Sequence, residues 1–193
     1  MTAPDHSDSR GQRAVLLIGL ARQAIEGELG RDFEPPPVPT AMVPWLGQPA
    51  ATFVTLELDG RLRGCIGSLE AQRSLRDDVT GNARSAAFED PRFPSLTAQE
   101  LDGLVVEVSV LSEPEPIECH SEAELLAALR PGVDGLVLEC GSHRSTFLPQ
   151  VWENLSQPCD FLAALKKKAR LERDFWNAEM CFSRYTVEMY REK

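Results

Sequence analysis

Apolar positions along this chain change their spacing several times, and each change marks an element. Val15, Ile18, Ile25 and Leu29 recur at helical intervals between Ser9, a good cap, and Gly30, a good stop. That pattern predicts a first helix over residues 9–29. Residues 31–50 then carry Pro35, Pro36, Pro37, Pro39, Pro44 and Pro49. Proline at that density removes helical donors, so an extended connector is expected, packed down through Val38, Met42, Val43, Trp45 and Leu46. Residues 52–58 and 61–68 are rich in β-formers and flank Asp59-Gly60, which predicts a hairpin closed by a two-residue turn. A regular register pairs Leu58 with Arg61, Leu56 with Arg63 and Val54 with Cys65. Arg63 and Cys65 then share an apolar face, and Leu62, Gly64 and Ile66 take the other with Phe53 and Thr55.

Leu75, Val79, Ala83, Ala86 and Ala87 make a stripe of small residues on a helix over 74–89, stopped by Asp90-Pro91-Arg92-Phe93-Pro94. Residues 104–111 alternate as a buried strand. Ser121 and Glu124 form a capping box opening a short helix. Residues 135–140 and 145–148 read as a second hairpin, 160–171 as a helix, and 182–190 as one final strand. Strands joined by tight turns, with helices between runs, predict an α+β fold: a mixed or mainly antiparallel sheet with flanking helices. Residues 1–8 read as a flexible tail, and 9–193 as a single domain.

Composition narrows the function classes. Asp and Glu number 30 against 20 Lys and Arg, a formal charge of −10. Such a surface repels phosphate backbones, so no nucleic-acid partner is expected. Lys166-Lys167-Lys168-Ala169-Arg170 is the one basic run, and it reads as a solvated helix face. Five cysteines without regular spacing fit reduced thiols in the cytoplasm better than a disulfide framework. Residues 1–8 lack the basic start and apolar run of a secretion signal, and the apolar stretch 14–21 is too short to span a bilayer, so no membrane association is expected.

Candidate chemistry gathers at Arg63-Gly64-Cys65-Ile66-Gly67. A thiol beside a fixed cation loses its proton more readily, so Cys65 is the candidate nucleophile and Arg63 its candidate cation. The bland alternative is a small buried apolar residue at a crowded glycine turn. Glu70, Glu89, Asp90 and His143 are the available bases. Gly64 and Gly67 could leave backbone N–H groups free for an anion or a peptide carbonyl. Arg92 reads either as an anion ligand with Arg63 or as a salt bridge within its own turn. Cys140 with His143, and Cys119 with His120, are the only local metal-type pairs, and neither has zinc-site spacing. No cofactor signature is present.

Taken in order, Thr52–Leu56, Leu62–Gly67, Asp90–Pro94, Glu107–Leu111, Gly132–Leu136, Thr146–Trp152 and Arg184–Val187 resemble the AMMECR-one domain family, and most of all its bacterial AmmeMemoRadiSam system protein A subgroup. The resemblance implies two lobes of unequal size, the larger built from both chain ends, the smaller from the middle. It implies that the Arg63–Gly67 motif lies at the functional surface, and that radical-SAM and Memo-like proteins are partners. It supplies no reaction. Two readings stay open. One is an enzyme or enzyme subunit holding a small molecule or peptide at Arg63, Gly64, Cys65, Ile66 and Gly67, with Asp90 and Arg92 close by. The other is a non-catalytic adaptor that binds a protein through the apolar connector around Trp45.

Overall fold

The computed structural model describes residues 6–192 and divides into two compact units. Unit 1 takes the chain as far as Leu111 and again from Glu188; unit 2 is Ser112–Val187. The helices are α1 (His6–Glu28), α2 (Val43–Gly47), α3 (Leu75–Phe88), α4 (Glu122–Ala128) and α5 (Pro158–Lys168). The strands are β1 (Pro49–Ala50), β2 (Thr52–Leu58), β3 (Arg61–Gly67), β4 (Arg73–Ser74), β5 (Leu104–Leu111), β6 (Glu115–Pro116), β7 (Gly135–Cys140), β8 (His143–Phe147), β9 (Cys181–Tyr185) and β10 (Val187–Arg191). The fold is α+β. No helix among the described residues is long and apolar enough to cross a membrane.

In unit 1 the sheet order is β10-β5-β2-β3, with β2 antiparallel to both of its neighbours and β3 at an edge. Alternation decides what each face does. Val54 and Leu56 of β2 and Val106 and Val108 of β5 are fully buried against Leu17 and Ile25 of α1 and Val79 and Ala83 of α3. Each of the valine, leucine and isoleucine side chains stabilises the fold by about 1.5–3 kcal/mol relative to exposure. Phe53, Thr55 and Glu57 stand on the opposite face, half-buried.

Ser74 caps α3 by accepting from the Asp77 N–H. Asp78 locks the same helix to the sheet. Its Oδ2 accepts from the Thr52 N–H (2.8 Å), the Thr52 and Ser68 hydroxyls (2.7 Å each) and Asn82 Nδ2 (2.9 Å), and its Oδ1 accepts from Arg73 Nη2 (2.8 Å). Asp78 is 1% exposed, so this saturation is what makes its burial tolerable.

In unit 2 the sheet order is β6-β9-β7-β8, all pairs antiparallel. Leu136 and Leu138 of β7 pack on Phe161, Leu162 and Leu165 of α5, and the Trp152 ring stacks on Phe161 at 3.8 Å. Ser121 caps α4 through the Glu124 N–H, while the Glu124 carboxylate takes the His120 N–H.

Four expectations need correction. Helix α1 begins at His6, so Ser9 lies inside its first turn and part of the anticipated 1–8 tail is helical; residues 1–5 lie outside the described residues. The connector is not wholly extended, because Pro44 sits at a first-turn position where its missing N–H costs nothing, and α2 forms there. The second hairpin turns at Gly141-Ser142, and β8 already includes His143. The run 182–190 is two strands. At Thr186 the backbone N–H donates to Ser112 Oγ (3.0 Å) and the carbonyl accepts from the Ser112 N–H (2.9 Å), and there the chain leaves one sheet for the other.

Candidate functional site

The β2–β3 hairpin turns at Asp59 and Gly60, whose φ values of 51° and 71° are those of the expected tight turn. Pairing begins with Leu58 opposite Arg61 and Glu57 opposite Leu62, then passes to Leu56 opposite Gly64 and Thr55 opposite Cys65. Arg63 is therefore an extra residue, a β-bulge, and side chains beyond it fall on the face opposite to the one a regular register assigns. Helix α3 explains the choice. A Cβ at position 64 would run into the Ala86 carbonyl, so only glycine fits beneath the helix and Cys65 must turn the other way.

The bulge corrects the expected juxtaposition of Arg63 with Cys65. Arg63 is buried, and its Nε donates to Glu100 Oε1 at 2.7 Å. Glu100 also accepts from the Thr97 N–H and hydroxyl at 2.8 Å each, closing a capping box on the short turn Ala98–Gly103. Arg63 holds the Glu100 carboxyl down to about 2. Cys65 instead stands with Thr55, whose Oγ1 donates to Sγ at 3.3 Å, in a cross-strand row that continues to Glu107 on β5. Across the same face Arg191 of β10 grips Glu57 (2.8 Å) and reaches Glu107 (3.4 Å).

The cation bonded to the Cys65 backbone is Arg92. The loop after α3 brings Asp90 and Arg92 to the outer edge of β3. There the Cys65 N–H donates to Asp90 Oδ2 (2.9 Å), and the Cys65 carbonyl accepts from Arg92 Nη2 (3.0 Å). Arg92 closes the loop on itself by donating Nη2 to Asp90 Oδ2 (2.6 Å) and Nε to Oδ1 (2.9 Å). The Asp90 side chain is 2% exposed and that of Arg92 is 53% exposed. The Arg92 guanidinium drives the Asp90 carboxyl well below the usual carboxylate range, with the two backbone N–H groups adding to the effect. Asp90 in turn raises Arg92, and the facing Cys65 side chain raises it further. The backbone of Cys65 is thus held by a carboxylate and a guanidinium, and its half-buried thiol accepts from the Thr55 hydroxyl.

The other residues singled out from sequence scatter. Ile66 stands opposite Val54 on the core side, and Gly67 opposite Phe53. Glu70 accepts from Gln72 and Glu89 from Ser85. His143 belongs to unit 2, with Nδ1 2.8 Å from the Ala169 carbonyl oxygen. All five cysteines are free thiols, and the described residues hold no cluster of three or more His, Cys, Asp or Glu arranged for a metal. Sequence reasoning overlooked Thr55, Glu100 and Glu107. The Thr97-x-x-Glu100 spacing is a readable capping signal; nothing local to residue 65 points to Arg92 as its cation.

The sequence matches the AMMECR1 family description over residues 18–190. A protein of Methanothermobacter thermautotrophicus is 40% identical over 178 residues, covering 91% of this chain and 92% of its own. One of Thermofilum pendens is 39% identical over 182 residues, covering 86% and 82%. The crystal structure of an uncharacterized protein from Pyrococcus horikoshii superimposes with a TM-score of 0.79 at 36% identity, covering 93% of this chain and 91% of that one.

Proposed function

The chain belongs to the AMMECR1 family, and from that premise we propose that it works through a reactive thiol, Cys65, on the half-buried face of the unit 1 sheet opposite the helices, where a small molecule or an extended peptide binds. The carrying observation is the arrangement of Asp90 and Arg92: a buried carboxylate and its half-exposed guanidinium grip the backbone N–H and carbonyl of Cys65, which holds a cation at the thiol's own residue. A thiolate there has a fixed positive neighbour and a hydroxyl donor in Thr55. The protein acts in the cytoplasm, where free thiols persist, as a component alongside radical-SAM and Memo-like proteins. Support for those partners is the likeness to the bacterial AmmeMemoRadiSam system protein A subgroup.

Site-resolved alkylation tests the thiol. With iodoacetamide at neutral pH, Cys65 reacts faster than the exposed Cys181, and Arg92→Gln removes that advantage. A Cys65 no faster than Cys181 in the parent protein overturns the proposal. A second reading, a binding module without catalysis, is favoured by a groove of about 320 Å³ on α1, lined by Val15 and Leu16 and by Pro36, Pro37 and Pro39 of the connector. Cys65→Ser separates the two: a thiol enzyme loses turnover, and a binding module keeps its partner's affinity.

A further inference from the structure

The basic run at the end of α5 does not behave as one patch. Lys166 is fully buried, donating to Glu122 at 2.6 Å and to the Arg173 carbonyl at 3.2 Å. Lys168 donates to the Thr146 carbonyl at 2.9 Å and stands 5.2 Å from the Phe147 ring centroid. Both are occupied in holding unit 2 together. Lys167 and Arg170 are exposed, and among the described residues neither side chain has an ion pair or a hydrogen bond.

Those two free cations line a hollow of about 770 Å³ along the flank of α5, a volume in the range of small-molecule sites. Ala163 and Ala164 are among its lining residues, and Arg173 joins the two cations. The acidic members are Asp160, held by Arg173 at 3.4 Å, and Glu172. Three cations against two carboxylates is a local reversal in a chain of formal charge −10.

Arg170 is also in an unusual conformation. Its φ is 61°, and the Arg170 and Leu171 N–H groups return to the carbonyls of Lys167 (3.0 Å) and Lys166 (2.9 Å). This is the left-handed helix stop that glycine fills at least cost. An arginine there accepts backbone strain, and Arg170 is one of the residues that line the hollow.

We propose that this hollow binds a small polyanion, a phosphate- or carboxylate-bearing molecule whose uncharged part lies over Ala163 and Ala164. Lys167 supplies a point charge, and Arg170 and Arg173 supply forked donors suited to paired oxygens. The proposal is independent of Cys65, since every residue it uses lies in unit 2.

Calorimetric titration of the whole chain with inorganic pyrophosphate, and separately with citrate, tests it. Saturable one-to-one binding of either probe that weakens with added salt is expected. Arg170→Gly raises the thermal midpoint, because the left-handed strain is relieved, yet weakens the bound probe about tenfold or more. Lys167→Gln, an exposed change that leaves the fold intact, weakens it as well. Arg144→Ala, which removes a cation paired with Glu139 elsewhere in unit 2, leaves affinity unchanged. Absence of saturable binding, or equal affinity in the parent, Arg170→Gly and Lys167→Gln proteins, overturns the proposal, as does an equal loss in Arg144→Ala.

Discussion

Gly64 decides where the neighbouring thiol points. A methyl group at that position meets the main chain of α3 at Ala86, which cannot swing aside as a side chain would. Gly64→Ala is therefore expected to destabilise the protein by about 3 kcal/mol, at the upper end of overpacking costs. A urea titration reads this as a lower midpoint; an unchanged midpoint would show that α3 has room to move. The glycine was visible in the sequence, and so was the two-residue tight turn just before the return strand. What the sequence concealed was the bulge, since one surplus residue leaves no trace in an alternating pattern that glycine has already interrupted. The regular register places Arg63 beside the thiol, whereas the guanidinium bonded to the Cys65 carbonyl is that of Arg92, which lies 27 positions away and reaches it because the loop after α3 returns to the sheet edge.

Among the elements, α3 is the one most dependent on a polar anchor. Removal of the carboxylate in Asp78→Ala takes the close acceptor from the Thr52 N–H, leaving it only Ser68 Oγ at 3.5 Å, and strips the buried Thr52 hydroxyl of the group it donates to. The expected cost is about 3–5 kcal/mol, the range for breaking a buried charged network. The loss of helical signal on mild heating should precede that of the parent protein by several degrees; superimposable melting curves would refute the anchor. Helices with a clear cap and stop, such as α3, were readable to within a residue, as was β5. The connector was misread because proline density obscured the one proline that starts a helix. The last strand run was misread because alternation continues smoothly through Thr186, and only the Ser112–Thr186 hydrogen bonds divide it.

The whole molecule has a pH window set by a few strongly shifted groups. Arg63 holds Glu100 at about 2, and Arg92 drives Asp90 lower still, both below their ordinary carboxylate values. Carboxyls depressed in the folded state stabilise it above their unfolded pKa, and that contribution disappears as pH falls through the folded values. Burial lifts Tyr185 to about 12, so its contribution is complete below the ordinary tyrosine value and is lost as pH rises through 10 toward 12. Unfolding free energy measured across pH should form a plateau between roughly 5 and 9 and decline on both sides; a maximum below pH 4 would contradict these assignments. The chain's route adds a constraint of another kind. The fourth strand of the unit 1 sheet, and the Glu192 carboxylate that pairs with Arg22, come from residues 187–192, which follow every strand of the unit 2 sheet. On the ribosome, the contiguous 112–187 segment can complete its sheet while β5 still waits for its outer neighbour. The sheet of unit 1 is thus completed later than that of unit 2, and until residue 191 emerges from the exit tunnel β5 stays a bare edge for a chaperone to guard.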